Sequence, residues 1–176
     1  MIEEPKYNPE TVKTVLNILQ KEFEGETGRD RFITSKVQMM LTLAGILLTA
    51  IIFLIKTVFE QNWYITLNAT LLLFAMAIIL IAIVLFLNVI GIKTFQRIDY
   101  EKLVFNIELE KKSVDVESRL IATYEGALKK NIPIVDNMAN VFKNGTKLIL
   151  GSILIIYVVL LTILSIVIKI LMGGNV

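Results

Sequence analysis

The side chains best suited to chemistry in this sequence are its carboxylates, because the 176 residues include no histidine and no cysteine. Asp30, Asp99, Asp115, Asp136 and the glutamates are the candidates for acid–base work. Such work needs a carboxyl group perturbed by burial or by a like charge. These residues instead lie in charged, solvated-looking stretches that also hold lysine or arginine, where a solvated face or a helix cap is the expected role. Without histidine there is no ordinary general base near neutral pH, and the commonest metal ligand is missing. Without cysteine there is no disulfide, thiolate site or thiol nucleophile. GETGRD places Gly25 and Gly28 three apart, but Arg29 and Asp30 stand where a phosphate-cradling loop would need lysine and a hydroxyl residue. No catalytic residue, metal or cofactor is therefore expected, and the chain reads as non-enzymatic. The formal charge of +2 gives no dense basic patch for nucleic acid.

A different set of residues is marked by its surroundings. Thr42, Thr49, Asn68, Thr70, Asn88, Ser152, Thr162 and Ser165 sit inside long apolar blocks. There they are expected to hydrogen-bond between helices or, in an oligomer, to line a pore. Ala44, Gly45 and Thr49 form a small-residue patch suited to close helix approach. The Asn68-Ala69-Thr70 and Asn144-Gly145-Thr146 sequons are read as chance, the first lying in an apolar block and the second on the cytosolic side.

The blocks that carry these polar groups define the fold. Hydrophobic residues make up 55% of the chain and charged residues 19%, against about 45–50% and 25% in soluble domains. From Val37 to Ile55 run 19 residues with no ionisable group. As a helix that segment covers roughly 28 Å, close to the hydrocarbon thickness of a bilayer. A second block spans residues 63–92, opening on Trp63 and Tyr64, which suit an interfacial anchor. A third covers Leu148 to Ile168, with Lys169 able to snorkel outward. The expected fold is an all-α membrane protein with three transmembrane helices and a helical cytosolic bundle. None of the blocks contains Asp, Glu, Lys or Arg, which argues against a coupled transporter. The charged first 36 residues hold no signal peptide, so span one is expected to serve as the insertion signal.

Lysine and arginine give the orientation. Six precede the first span and ten lie between residues 93 and 147, whereas the 56–62 loop and the 169–176 tail carry one each. The positive-inside rule then puts the amino terminus in the cytosol and the carboxyl terminus outside a cell membrane.

Two cytosolic pieces remain. In residues 1–36, Asn8 is a helix cap, Pro9 suits the first helical position, and Val12, Leu16, Leu19 and Phe23 form a heptad-like stripe. That stripe needs a partner, either the second cytosolic piece or another protein. Gly25 and Gly28 are expected to make a break or a hinge before the membrane. In residues 93–147, KTFQRIDYEKLV is expected to continue the second span as a helix, and LVFNIELE alternates as a short strand or forms an irregular or helical segment. A helix then starts with Asp115 as cap, places Leu120, Ile121, Tyr124 and Leu128 on one face, and ends at Lys129 and Lys130 before a break at Pro133. The VDNMANVFKNGTK segment leads as helix into the third span.

The run RDRFITSKVQMMLTLAGIL entering span one, with RLIATYEGALKKN and NIPIVDNMANVFKNGTKL before span three, resembles a group of small prokaryotic membrane proteins. That group is similar to the Pycsar-type and SLATT-type transmembrane effectors of defence systems. The resemblance covers nearly the whole chain. Asp30 and Lys36 fill the acidic and lysine places of its juxtamembrane element, although Val37 replaces the usual small residue and Met138-Ala139 stands for a common lysine–alanine pair. Arg29, Asp30, Arg31 and Lys36 together are the candidate juxtamembrane coupling residues. The resemblance implies a cytosolic part that senses a small-molecule signal or protein, and a membrane part that responds by forming a homo-oligomer or perturbing the bilayer. The alternative is an accessory subunit that holds a cytosolic partner at the membrane through the two amphipathic faces.

Overall fold

The computed structural model describes residues 8–60, 65–91 and 113–172, and every element among them is helical. Helix α1 runs Pro9–Glu60, α2 Ile65–Gly91 and α3 Ser113–Leu171. All three are long and apolar enough to cross a membrane. The stretches KTFQRIDYEKLV and LVFNIELE, and the Trp63–Tyr64 pair, lie outside the described residues.

Helix α1 starts as its sequence dictates. The Glu10 amide donates to Asn8 Oδ1 at 3.0 Å, and the Val12 amide donates to the Asn8 carbonyl at 3.1 Å. Asn8 is thus the cap, and Pro9 takes the first helical position, where its missing N–H costs nothing. The helix then runs unbroken for 52 residues, which corrects the expected break at Gly25 and Gly28. A glycine inside a helix costs only about 1 kcal/mol relative to alanine. Buried or half-buried residues before and after the two glycines, from Leu16 to Ile33, outweigh that cost.

A second correction concerns Pro133, which sits inside a 59-residue helix rather than ending one. Lys129 and Lys130 are therefore in mid-helix, and Asp115 is the third residue of the described helix rather than its cap. Pro133 lacks the N–H that would bond the Lys129 carbonyl. The proline itself is exposed, while Leu128, Asn131 and Val135 around it are buried. Packing on that face holds the helix together across the missing bond.

Burial along each helix follows one rule. In α1 the inward positions are Val12, Leu16, Leu19, Phe23, Glu26, Asp30, Ile33, Val37, Met40, Ala44, Leu47, Ile51, Leu54 and Val58, all buried or half-buried. The spacing alternates four and three without a slip. In α2 the same alternation links Asn68, Leu72, Ala75, Ile79, Ala82, Phe86 and Val89, all buried. In α3 it starts at Ile121, passes through Tyr124, Leu128, Asn131, Val135 and Met138, and continues from Phe142 to Ile166. A hydrophobic repeat of seven kept at this length is the pattern of left-handed coiled-coil packing.

The chain divides into two compact units. One comprises Met1–Ile33 with Ile92–Met138, the other Thr34–Gly91 with Ala139–Val176.

Candidate functional site

In the first unit, the amphipathic faces anticipated on the two polar segments meet. Leu16, Leu19 and Phe23 of α1 pack against the buried Tyr124 and Ala127 of α3. The Phe23 and Tyr124 rings stand edge to face, with centroids 5.6 Å apart and planes at 77°. Such aromatic pairs contribute about 0.5–1.5 kcal/mol beyond their buried area. Val12 and Leu128 are buried, and Leu120 and Ile121 are half-buried.

Beyond this apolar layer, Glu26 and Asp30 occupy positions where the heptad would take apolar residues. Arg29 lies beside them. Its guanidinium donates to Asp136 of α3 at 2.7 Å and to Glu26 at 3.4 Å. The hydrogen bond to Asp136 is the largest influence on the Arg29 pKa; desolvation, the next largest, opposes it, and the charges of Glu26 and Asp136 and the Glu26 hydrogen bond add to it, so the pKa stays above its ordinary value. Arg29 and Asp136 are both well exposed, so water and salt screen the pair. The second Glu26 oxygen is buried and makes no hydrogen bond among the described residues. Of the other charged residues before the first apolar block, Asp30 is half-buried, and Arg31 and Lys36 are exposed.

In the second unit, two polar residues expected to link helices do so. The Thr162 hydroxyl of α3 lies 3.1 Å from Asn68 Oδ1 of α2 and 2.7 Å from the Val159 carbonyl. Its single proton serves one acceptor at a time. Asn68 is buried, so this contact settles a polar group that the apolar surroundings could not. Ser152 is fully buried but bonds the Ile149 carbonyl of its own helix. Thr42, Thr49 and Ser165 likewise bond carbonyls four residues back, on exposed faces. Asn88 is exposed. The small-residue patch is split: Ala44 is buried, whereas a Cβ on Gly45 would meet nothing within 4 Å among the described residues.

One close contact in this unit involves residues that sequence reasoning passed over. Phe86 of α2 is fully buried against Gly145 of α3. A Cβ at position 145 would lie 2.6 Å from Phe86 Cε1 and 2.9 Å from Cζ. The Phe142 ring closes the same place, its centroid 6.0 Å from that of Phe86 at 43°. By its neighbours in sequence, Gly145 is only the middle of a sequon. The signal that finds it is its heptad position between Phe142 and Ile149.

Chemically, these arrangements pack and orient helices. Among the described residues, no three His, Cys, Asp or Glu side chains come together as a metal site. Compared with protein-family models, curated proteins and solved structures, the chain matches none.

Proposed function

We propose that this chain is a non-enzymatic integral membrane protein with three spans, acting as an effector that answers a cytosolic signal by assembling in and perturbing the bilayer. One observation carries the membrane part of this reading. Only 11%, 28% and 17% of the most apolar windows of α1, α2 and α3 are buried within the chain. The remaining apolar surface far exceeds the few hundred Å² that a soluble monomer exposes, and lipid is the solvent that accepts it. Positively charged residues then set the orientation, with the amino terminus and residues 93–147 in the cytosol and the carboxyl terminus outside. The juxtamembrane residues Arg29 and Asp136 bind α1 to α3 in the first unit, a suitable place for a signal to act.

The accessory-subunit reading has weaker support. It needs the Val12–Phe23 stripe free for a partner, and Leu16, Leu19 and Phe23 already pack on Tyr124 and Ala127.

Membrane potential, followed with a voltage-sensitive dye in cells induced to express the chain, tests the effector reading. Rapid depolarisation with the full chain, and none with a chain truncated after Gly145, is the expected result. Equal signals from the two at matched expression, or none from either in the presence of the cognate signal, would reject it.

A further inference from the structure

We propose that α1 carries a self-association stripe, Gln38, Thr42, Gly45 and Thr49, on which a second copy of this chain packs. The inference rests on the membrane-spanning reading above and names the surface that assembly would use.

The outward surface of α1 is chemically divided. Gln38, Thr42, Gly45, Thr49, Ile52 and Lys56 are all exposed and recur at spacings of four and three. At 100° per residue they lie roughly 80–160° round from the buried Ala44. Met39, Ile46, Ala50 and Phe53 are exposed as well, and they occupy the next arc, roughly 180–240° round. One arc is bulky and apolar and suits lipid. The other is polar and small, and it repeats with the same alternation as the seams buried within the chain.

Hydrogen bonding makes the polar arc complementary to itself. Thr42 and Thr49 spend their protons on the Gln38 and Gly45 carbonyls, at 3.1 and 3.0 Å. Their oxygens keep lone pairs that can only accept. The Gln38 amide offers two N–H donors and a carbonyl acceptor, and it makes no side-chain hydrogen bond among the described residues. Donor and acceptors therefore sit on one stripe. Two copies inserted the same way run parallel, which brings the Gln38 amide of one within about a turn of the Thr42 oxygen of the other. Around Thr42 and Thr49, deeper in the span, hydrocarbon supplies no donor. Gly45, at the middle, has open space where a side chain would be, so a neighbouring backbone can approach closely there.

The absence of native cysteine makes the test direct. Full-length chains bearing Gln38→Cys, Thr42→Cys, Gly45→Cys or Thr49→Cys are compared with Met39→Cys, Ile46→Cys and Phe53→Cys. Carbonate-washed membranes are mildly oxidised and run without reductant. Disulfide dimers are expected several-fold more strongly in the first group. A flat profile, a maximum in the second group, or adducts only with other proteins overturns the stripe. A chain that washes off the membrane defeats the membrane reading and the proposal together, whereas retention with a flat profile defeats the stripe alone. Two further variants are made in the Thr49→Cys background. Gly45→Leu, whose site is open within the chain, should abolish the crosslink without unfolding the protein. Gln38→Leu should weaken association roughly three- to twentyfold, the range for one interhelical hydrogen bond in a membrane. An undiminished crosslink in both rejects the hydrogen-bonded packing.

Discussion

Gly145 and Phe86 show how much one hydrogen atom can decide. With a Cβ placed 2.6 Å from a fully buried ring, Gly145→Ala forces either the ring or the helix to move. Overpacking of this kind costs about 1–3 kcal/mol. A lower denaturation midpoint in detergent is the expected outcome, and Phe86→Leu in the same chain should recover part of the loss. The converse holds at Gly25 and Gly28, where an added Cβ meets nothing within 4 Å. Alanine at either position should stabilise by up to about 1 kcal/mol, read from the same melts. The Arg29–Asp136 pair lies between these cases. Both partners are exposed, so Asp136→Asn should lower the melting midpoint only slightly. The difference from the parent chain should shrink as salt is raised. Since the raised pKa of Arg29 lies far above neutrality, its contribution is fully present at lower pH and is lost only in strong alkali. A flat stability profile across neutral pH is therefore expected from this group.

At the scale of elements, the apolar blocks and the Asn8–Pro9 start were legible because each rests on a local property, hydropathy or a cap. The helix ends were not. Gly25, Gly28 and Pro133 are breakers by propensity, yet all three lie inside helices. Propensity costs about 1 kcal/mol per glycine and about 3 kcal/mol per proline, and a seam buried on both sides of the breaker outweighs it. That seam was itself readable as far as Phe23. It was lost beyond there because Glu26 and Asp30 interrupt the apolar code at positions that burial still treats as inward. Of the polar residues within the blocks, sequence identified Asn68 and Thr162 as candidates, but only the fold shows that they meet. Pro133→Ala restores a backbone donor to the Lys129 carbonyl. Because Pro133 is exposed, the substitution should raise stability, with increased helicity by circular dichroism as the check.

For the whole molecule, three helices long and apolar enough to span a bilayer, with little of their most apolar windows buried within the chain, are what the proposed place in lipid requires. Retention in carbonate-washed membranes is the expected outcome. Cysteine labelling should find residues on the amino-terminal side of Val37 protected in intact cells and the tail beyond Lys169 accessible. The unbroken seam of α1 has a last consequence, which concerns phase. Helix α1 works like a reading frame. One alanine inserted after Leu41, inside the second unit, turns everything beyond it by about 100°. The places of Ala44 and Val58 would then fall to Leu43 and Thr57, a larger side chain and a hydroxyl in the middle of a packed seam. Seven inserted residues would nearly restore the phase, leaving a drift of about 20° and a helix about 10 Å longer. A one-residue insertion should thus be far more damaging than a seven-residue one, although it adds less to the chain.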